Sequence, residues 1–463
     1  MSFLNALAGV LRPRPTVQVT GAISSAADAT YASISTGALA GGLPPAAGVL
    51  GTSTPMTAEE QEPSTQEKQL MLHLSNVSHG VNHFQNQMMT MLYPYIMAEL
   101  GLSYTQVGVL SAICSALNSL CQGAYGFLAP FISRCKVLGG GNIGIALGTL
   151  MSGLAGSFPV LVMARGVAAI GSSAQHPVGY SILASYFPNN RGAVIALNTS
   201  ASNVGTLIAT PLATALLLCM SWRAIFFVVT LASLIMGLVY FWFRDYGAPS
   251  RVGSGRARLA QGLGSYRRVL KNRNMVLIAL VFMVGGAGRE GGVNQIYFAP
   301  HLANDFGYSA LMIGILMTAI SIGSIVGPIV FGWLSDRLSR TGMLQVSLAL
   351  SCVGSLWVAH LGPGAVVLFI SLLLYSAVTS SRGTQTQAIV ADAVTDEDRD
   401  AAFSLYFLLG FLSQPVWVLV TGYLMDKAGF ATALTLLSAT YITGILILCF
   451  VHDERKTERT PAA

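Results

Sequence analysis

The chain has 463 residues, of which 53% are hydrophobic and only 10% are charged, and its mean hydropathy is +0.62. A soluble globular protein carries about 25% charged residues. So few charges cannot cover the surface of a water-soluble protein of this length. The composition therefore argues against a soluble enzyme, a nucleic-acid binder and a fibrous protein. The six cysteines show neither a disulfide pattern nor the spacing of metal ligands.

Long apolar stretches follow one another along most of the chain. Crossing the hydrocarbon core of a bilayer takes roughly 20 apolar residues as helix. Twelve stretches meet this length, and a polar segment, 244–274, separates the sixth from the seventh. We predict an all-α membrane protein built as two six-helix bundles. The predicted spans are 71–98, 105–131, 138–158, 160–185, 193–219, 222–243, 275–300, 309–334, 342–360, 364–388, 401–425 and 430–451.

Lys and Arg predict the orientation of these spans. The segment 244–274 alone holds eight of the 25 basic residues, and basic loops stay on the cytoplasmic side of a membrane. We therefore expect both termini to be cytoplasmic, in an inner (plasma) membrane. The predicted parts are a disordered tail over 1–65, a first bundle over 70–243, the basic linker over 244–274, a second bundle over 275–452 and a tail over 453–463. The alternative for the first segment is a cleaved targeting peptide.

The two halves of the chain resemble each other. A shift of 206 residues aligns Pro94 with Pro300, Gly101 with Gly307 and Arg134 with Arg340. Matches of Pro and Arg in one register do not follow from apolar composition alone. Parallel repeats of this kind imply a pseudo-twofold axis along the membrane normal and a central path between the halves.

A loop motif follows the eighth predicted span. The residues from Gly332 to Arg340 read G-W-L-S-D-R-L-S-R, which resembles the G-x-L-x-D-R-x-x-R signature of the major facilitator superfamily. The first copy has Pro130 in place of the acid. The resemblance covers about residues 70–452, and it implies transport by alternating access. It also implies a gating latch made by Asp336, Arg337 and Arg340, although these charges could simply mark a cytoplasmic turn.

Few ionisable side chains lie inside the predicted spans. A charge at the centre of a membrane helix costs about 2.5–3.5 kcal/mol, so it usually faces a cavity or a partner. We expect one set to bind substrate and another to couple transport to an ion. The predicted substrate-binding residues are His79, His83, Arg289, Asn294, Gln295, Arg382 and Gln385; the predicted coupling residues are Glu290, Arg165 and His176.

Simpler roles remain for several of these residues. Arg289 and Glu290 could neutralise each other, since the glycines around them favour a bend in span seven. Arg165 could bridge span four to span one, and Arg382 could extend its charge to the cytoplasmic interface. His79 and His83 are four residues apart and share a helix face. A metal site there would need a third and a fourth ligand, which the sequence does not locate, so we predict no metal and no cofactor.

A narrower resemblance concerns the first and fourth spans. The H-x-x-x-H pair of His79 and His83, together with His176-Pro177, is similar to the fosmidomycin-resistance branch of the same superfamily. Where that branch has an acid on each span, this chain has His83 and Val178. Proton-driven drug antiport therefore does not follow from the resemblance.

The balance of charge within the spans points to the substrate. Three arginines and one carboxylate lie there, and a guanidinium binds carboxylate or phosphate through two parallel hydrogen bonds. We predict a proton-coupled secondary transporter of a small organic anion, of carboxylate or phosphonate type. The alternatives are an efflux carrier for amphipathic drugs and a non-transporting membrane receptor. The expected partners are the anion, protons or another coupling ion, and the lipid bilayer; we expect a monomer, no enzymatic activity and no nucleic-acid partner.

Overall fold

A computed structural model describes residues 63–128, 132–188, 190–246, 266–284, 292–395 and 398–451. Within these ranges the chain forms helices and turns and no strand. The helices are α1 (Thr65–Leu100), α2 (Tyr104–Leu128), α3 (Arg134–Leu154), α4 (Phe158–Ser172), α5 (Gln175–Tyr186), α6 (Arg191–Cys219), α7 (Trp222–Tyr240), α8 (Arg273–Val284), α9 (Gly292–Asn304), α10 (Ala310–Arg337), α11 (Arg340–Ala359), α12 (Ala365–Asp392) and α13 (Arg399–Leu448). A further short helical segment covers 266–271.

Seven candidate membrane spans are present in the described residues, rather than the twelve predicted. They correspond to eight of the predicted spans, because the apolar stretch Leu408–Leu448 of α13 covers two of them across a kink at Gly429. Gly429 has φ of +78°, a conformation that glycine adopts without steric cost. The predictions for 71–98 and 105–131 fall on α1 and α2, which are helical but are not among the seven candidate spans.

Two predicted spans are divided. The predicted span 160–185 forms α4 and α5, with a turn at residues 173–174 between them. The predicted span 275–300 forms α8 and α9, and the glycine-rich segment 285–291, where we expected a bend, lies outside the described residues. The division at 173–174 matters for function, because it places His176 in the first turn of α5.

The chain divides into two units, 1–70 and 71–463, and the first unit contributes the start of α1. Ser64 and Glu67 form a reciprocal capping box there: Glu67 N–H donates to the Ser64 hydroxyl (3.2 Å) and Ser64 N–H donates to the Glu67 carboxylate (3.0 Å). Such a cap satisfies backbone donors at a helix start. It begins the helix at Thr65, six residues before the start of the predicted span.

The apolar core of the second unit has three parts. The largest combines residues from both halves of the chain, such as Leu92 and Ile225 with Tyr297 and Leu316. A second part lies wholly in the second half, between Val269 and Val451. The third lies wholly in the first half, between Met71 and Tyr240. The two halves therefore share one core, and each half also has a core of its own.

Candidate functional site

One face of α1 is polar, and it runs from the buried His79 and Asn82 to the half-buried His83 and the exposed Asn86. His79, Asn82, His83 and Asn86 recur at a spacing of three or four residues, so they lie on one side of the helix. Asn82 Oδ1 accepts hydrogen bonds from the Ser172 hydroxyl (3.0 Å) and from Asn86 Nδ2 (3.1 Å). Ser172 ends α4, so this network holds the polar face of α1 against the fourth predicted span.

A narrow polar pocket lies beside this network. Its lining includes Asn82, Gln85, Asn86, Arg165 and Ser172, and in this conformation these side chains lie too close together to leave room for a water molecule. Ile145 and Ala168 complete the wall. We call it the Arg165 pocket.

Arg165 is only 7% exposed. The carboxylates that form ion pairs within the described residues pair with Arg134, Arg223, Arg268, Arg340 or His301, and none of these pairs involves Arg165. A buried guanidinium without a carboxylate is costly unless another anion or a set of acceptors compensates it. The pocket thus combines one positive charge with amide and hydroxyl groups, a set that suits a carboxylate bearing hydroxyl groups.

Three histidines meet next to this pocket. The ring centroid of His79 lies 4.9 Å from that of His83 and 4.7 Å from that of His176. His83 and His176 are 5.5 Å apart, and one ligand nitrogen from each of the three rings lies within 4.8 Å of the others. The ring of Tyr180 is 5.8 Å from His176. The structure thus brings together two predicted substrate residues and one predicted coupling residue.

The sequence pattern did not predict the contact of His176 with His79 and His83 on α1. His79 and His83 are close in sequence, but His176 lies about a hundred residues away, on α5. Its approach depends on the packing of α5 against α1, which no local periodicity encodes. The His-Pro pair at the start of α5 was the signal available in the sequence.

Arg382 and Gln385 lie in a different environment, in the second half. Arg382 Nε donates to the carbonyl of Thr379 (3.0 Å), and its guanidinium lies 5.0 Å from the ring centre of Tyr441 on α13. Gln385 Nε2 donates to the Ser347 hydroxyl (2.9 Å) on α11. Both residues are buried, and these contacts are to the second half of the chain.

The remaining predicted substrate residues are only partly covered. Arg289 and Glu290 lie outside the described residues. Asn294 and Gln295 belong to α9, but their side chains also lie outside the described part of the chain. Their roles stay predictions.

The predicted gating residues form contacts within the second half. Arg340 pairs with Asp336 (3.1 Å) and with Asp392 at the end of α12 (3.1 Å). The Arg337 guanidinium lies 3.8 Å from the ring centre of Trp333. The aligned residue Arg134 pairs instead with Asp245, Nε to Oδ1 at 2.9 Å. Each half thus has its own arginine–carboxylate contact at the same end of the repeat, although Pro130 itself is outside the described residues.

A contact between the halves was missed by the sequence reasoning. Asp426, at the far end of the predicted span 401–425, accepts hydrogen bonds from the backbone N–H groups of Tyr104 (2.9 Å) and Thr105 (2.7 Å). Asn304 Nδ2 also donates to the Tyr104 hydroxyl (3.3 Å). We call the contact of Asp426 with Tyr104 and Thr105 the Asp426 clasp. It joins α13 to the start of α2, at the ends predicted to face the outside.

These features together define a multi-pass membrane transporter: apolar helices carry a polar cluster in which Arg165 and His79 are buried and His83 and His176 are half-buried. The chain belongs to the Major Facilitator Superfamily, whose family model matches residues 76–289 and 291–463. Members of this family act as transporters, and the chain is therefore a transporter rather than an enzyme. The resemblance noted in the loop motif is confirmed.

Several curated relatives are named for organic-acid transport. The chain is 22% identical over 404 residues to a "Probable L-galactonate transporter" of Escherichia coli (strain K12), covering 81% of this chain and 88% of the relative. It is 22% identical over 392 residues to a "Hexuronate transporter" of the same strain, covering 78% and 88%. These names describe the substrates of the relatives.

Solved structures share the fold. A bacterial homologue of the human lysosomal transporter Spinster, in an inward-facing and unoccupied conformation, superposes with a TM-score of 0.67 at 17% identity, covering 84% of this chain and 96% of that chain. The nucleoside transporter NupG gives a TM-score of 0.70 at 13% identity, covering 83% and 98%. At these identities the likeness concerns the fold alone.

Proposed function

We propose that this chain is a secondary transporter of a small hydroxy-carboxylate of the sugar-acid class. It works by alternating access between the two halves, with protons as the coupling ion. The single observation that carries the substrate class is the Arg165 pocket. There a buried guanidinium lies beside Asn82, Asn86 and Ser172, and none of the ion pairs of the described residues involves Arg165.

The substrate class follows from the chemistry of the pocket lining. A guanidinium binds a carboxylate through two parallel hydrogen bonds, while amide and hydroxyl groups both donate to and accept from substrate hydroxyl groups. A sugar acid offers a carboxylate and several hydroxyl groups. The names of the galactonate and hexuronate relatives support the same class. Neutral sugars and cations lack a carboxylate that could pair with the Arg165 guanidinium.

The coupling proposal is based on the three-histidine cluster. An imidazole is the side chain whose ordinary pKa lies nearest neutrality, and His79, His83 and His176 lie in ring contact with one another. A proton that enters this cluster is within reach of the polar face of α1. Glu290 stays a second candidate for proton binding. We further propose that the chain works as a monomer in the inner membrane, with both termini cytoplasmic.

Uptake into proteoliposomes tests the substrate class. Purified protein is reconstituted, and uptake of labelled D-galactonate and of a labelled hexuronate is measured with and without an inward proton gradient. Arg165→Gln keeps a polar side chain and removes the charge. We expect substrate affinity to fall about 10–100-fold, as a hydrogen bond to a charged group contributes about 1.5–3 kcal/mol.

Arg273→Gln is the matched control. Arg273 is exposed at the start of α8, so the same change of charge there should leave affinity unaltered. If Arg165→Gln still takes up sugar acids as well as the wild type does, the proposal is contradicted. If it also takes up galactose or a cationic drug at the wild-type rate, the result favours a drug carrier. Binding of a sugar acid without any uptake would favour the receptor alternative.

A further inference from the structure

We propose that His79, His83 and His176 form an open binding site for a divalent transition-metal ion such as Zn²⁺. Imidazole nitrogen is a favoured ligand for Zn²⁺, Ni²⁺ and Cu²⁺. The sequence supplied two histidines at a spacing of four residues, and the structure adds His176 from α5 as the third ligand. Three histidines are the ligand set of many open zinc sites.

The first argument is the state of His79. Its side chain is fully buried, and its Nε2 has no hydrogen-bond partner among the described residues. The Nδ1 of the same ring lies 2.7 Å from Asn198 Oδ1. Asn198 Nδ2 donates to Asn76 Oδ1 (2.9 Å), which fixes the amide with its oxygen toward the ring. His79 therefore carries its proton on Nδ1, and Nε2 presents a lone pair toward a site whose other two histidines are half-buried.

The second argument is the state of His83. Its Nδ1 lies 3.3 Å from the Thr206 hydroxyl, and that hydroxyl already donates to the carbonyl of Ser202 (3.1 Å). The hydroxyl oxygen therefore accepts from His83, which places the proton on Nδ1 and makes Nε2 the basic nitrogen. Hydrogen bonds of this kind, from the other ring nitrogen to an oxygen, are typical of metal-ligating histidines.

The third argument is distance. One nitrogen from each of the three rings lies within 4.8 Å of the others. Tetrahedral coordination at a Zn–N bond length of 2.0–2.1 Å sets the nitrogens roughly 3.4 Å apart. Metal binding therefore requires the three ring nitrogens to approach one another from the arrangement seen without an ion, in which they lie within 4.8 Å. Three ligands leave a fourth position for water or an anion, as in open sites.

Metal binding to purified protein tests the proposal. The protein is prepared with a tag that lacks histidine and is titrated with Co²⁺ and then Zn²⁺ at neutral pH. We expect one equivalent of Co²⁺ with the intense visible bands of tetrahedral coordination, displaced by Zn²⁺. X-ray absorption at the zinc edge should give nitrogen neighbours at about 2.0–2.1 Å with the outer-shell pattern of imidazole.

Variants separate the site from surface binding. His176→Gln should weaken the metal by more than the roughly 10–100-fold that loss of an outer-shell partner costs, and Asn198→Ala should weaken it within that range. His73 and His360 are exposed, so replacing both with Gln should leave affinity and stoichiometry unchanged. Elution volume and the metal-free unfolding temperature check that each variant is folded.

Three outcomes would overturn the proposal: wild-type protein that binds no Zn²⁺ at micromolar concentration, equal affinity in folded His176→Gln, or a zinc-edge spectrum without imidazole neighbours. The spectrum is taken on the wild type, so it decides the matter even where His176→Gln does not fold. The assay involves no transport, so its result is independent of the substrate proposed above. Zn²⁺ and protons would compete for the same nitrogens, which makes the ion an inhibitor of proton coupling.

Discussion

At the scale of single residues, Glu99 connects three helix ends. Its carboxylate accepts from Trp222 Nε1 (2.6 Å) and from Arg223 Nε (2.9 Å), while Arg223 also donates to the carbonyls of Gly153 and Ala155. The hydrogen bonds from Trp222 and then Arg223 lower the pKa of Glu99 below its ordinary value. The Trp-Arg pair was visible in the sequence, but its carboxylate partner was not, because the partner lies more than a hundred residues away.

This lowered pKa predicts an acid-dependent part of stability. A carboxyl group whose folded pKa is lowered stabilises the protein above its unfolded pKa, and this contribution is lost as the pH falls through the folded pKa. The unfolding temperature of wild-type protein in detergent should therefore decrease as the pH is lowered below about 4.5, the ordinary pKa of a glutamate. Glu99→Gln should show a smaller fall over that window, because it lacks the titrating group.

Arg223→Gln provides the cross-check for Glu99. If the two side chains act as a pair, the double variant should lose less stability at neutral pH than the sum of the losses in the two single variants, because each single change already removes their interaction. Strict additivity of the two changes, with the same acid dependence in Glu99→Gln as in wild type, would show that the pair contributes nothing. Glu99 is about half exposed, so solvent screening keeps the effect small.

At the scale of helices, small residues set how closely pairs of helices approach. Gly323 and Gly327 of α10 face α12, where a Cβ on Gly327 would collide with the carbonyl of Ala377. Gly205 of α6 faces Gly80 of α1 in the same way. Gly205, Gly323 and Gly327 are therefore packing sites between helices, as small residues commonly are in membranes.

Gly327→Ala is expected to destabilise the protein. The added methyl meets backbone rather than a flexible side chain, so α10 and α12 must move apart, at a typical cost of about 1–3 kcal/mol for overpacking. The control is Gly332→Ala on the same helix, where a Cβ would meet no heavy atom of the described residues within 4 Å. There alanine should be neutral or mildly stabilising, because it favours helix.

Thermal unfolding of both glycine variants, in one detergent and against wild type, measures the difference. A Gly327→Ala protein that unfolds at or above the temperature of Gly332→Ala would contradict the close approach of α10 and α12. The methyl group added at Gly332 meets no neighbouring atom of the described residues, so the pair of variants separates packing from helix propensity.

The sequence could predict most helices but not their interruptions. Apolar length located most of the described helices, because crossing a bilayer requires continuous apolar stretches, but it did not predict the helical segment 266–271. The turn at 173–174 and the early start of α1 depend on local hydrogen bonds that hydropathy does not register. For the site, the i, i+4 spacing predicted the contact of His79 with His83. The approach of His176 and Asn198 depends on tertiary packing.

At the scale of the whole transporter, the two halves are joined through the Asp426 clasp. Ser103 and Gln106 form a capping box at the start of α2, with Gln106 N–H donating to the Ser103 hydroxyl (3.2 Å). The next free donors of that helix end, on Tyr104 and Thr105, bind Asp426 from the other half. A helix start attracts negative charge, so the carboxylate of Asp426 on α13 completes the cap of α2.

In the alternating-access mechanism proposed above, opening this end of the transporter requires the clasp to break. The N–H groups of Tyr104 and Thr105 must then return to water, and Asp426 loses two hydrogen bonds. Loss of a helix cap costs about 0.5–2 kcal/mol. Asp426→Ala should shift the balance between closed and open states by a factor of about 5–30 for 1–2 kcal/mol. Lys427→Gln, at the exposed neighbouring position, is the matched control.

Amide hydrogen exchange can detect this shift without a substrate. In Asp426→Ala, exchange should rise at the start of α2 and also in the facing part of α13 around Val418–Gly422, where the Tyr297 hydroxyl donates to the carbonyl of Val418. If exchange rises only at Tyr104 and Thr105, the clasp is a local helix cap. If exchange does not rise above that of Lys427→Gln, the clasp has no role in gating. Faster exchange on both helices is the result that a clasp between the halves requires, because separation exposes both partners together.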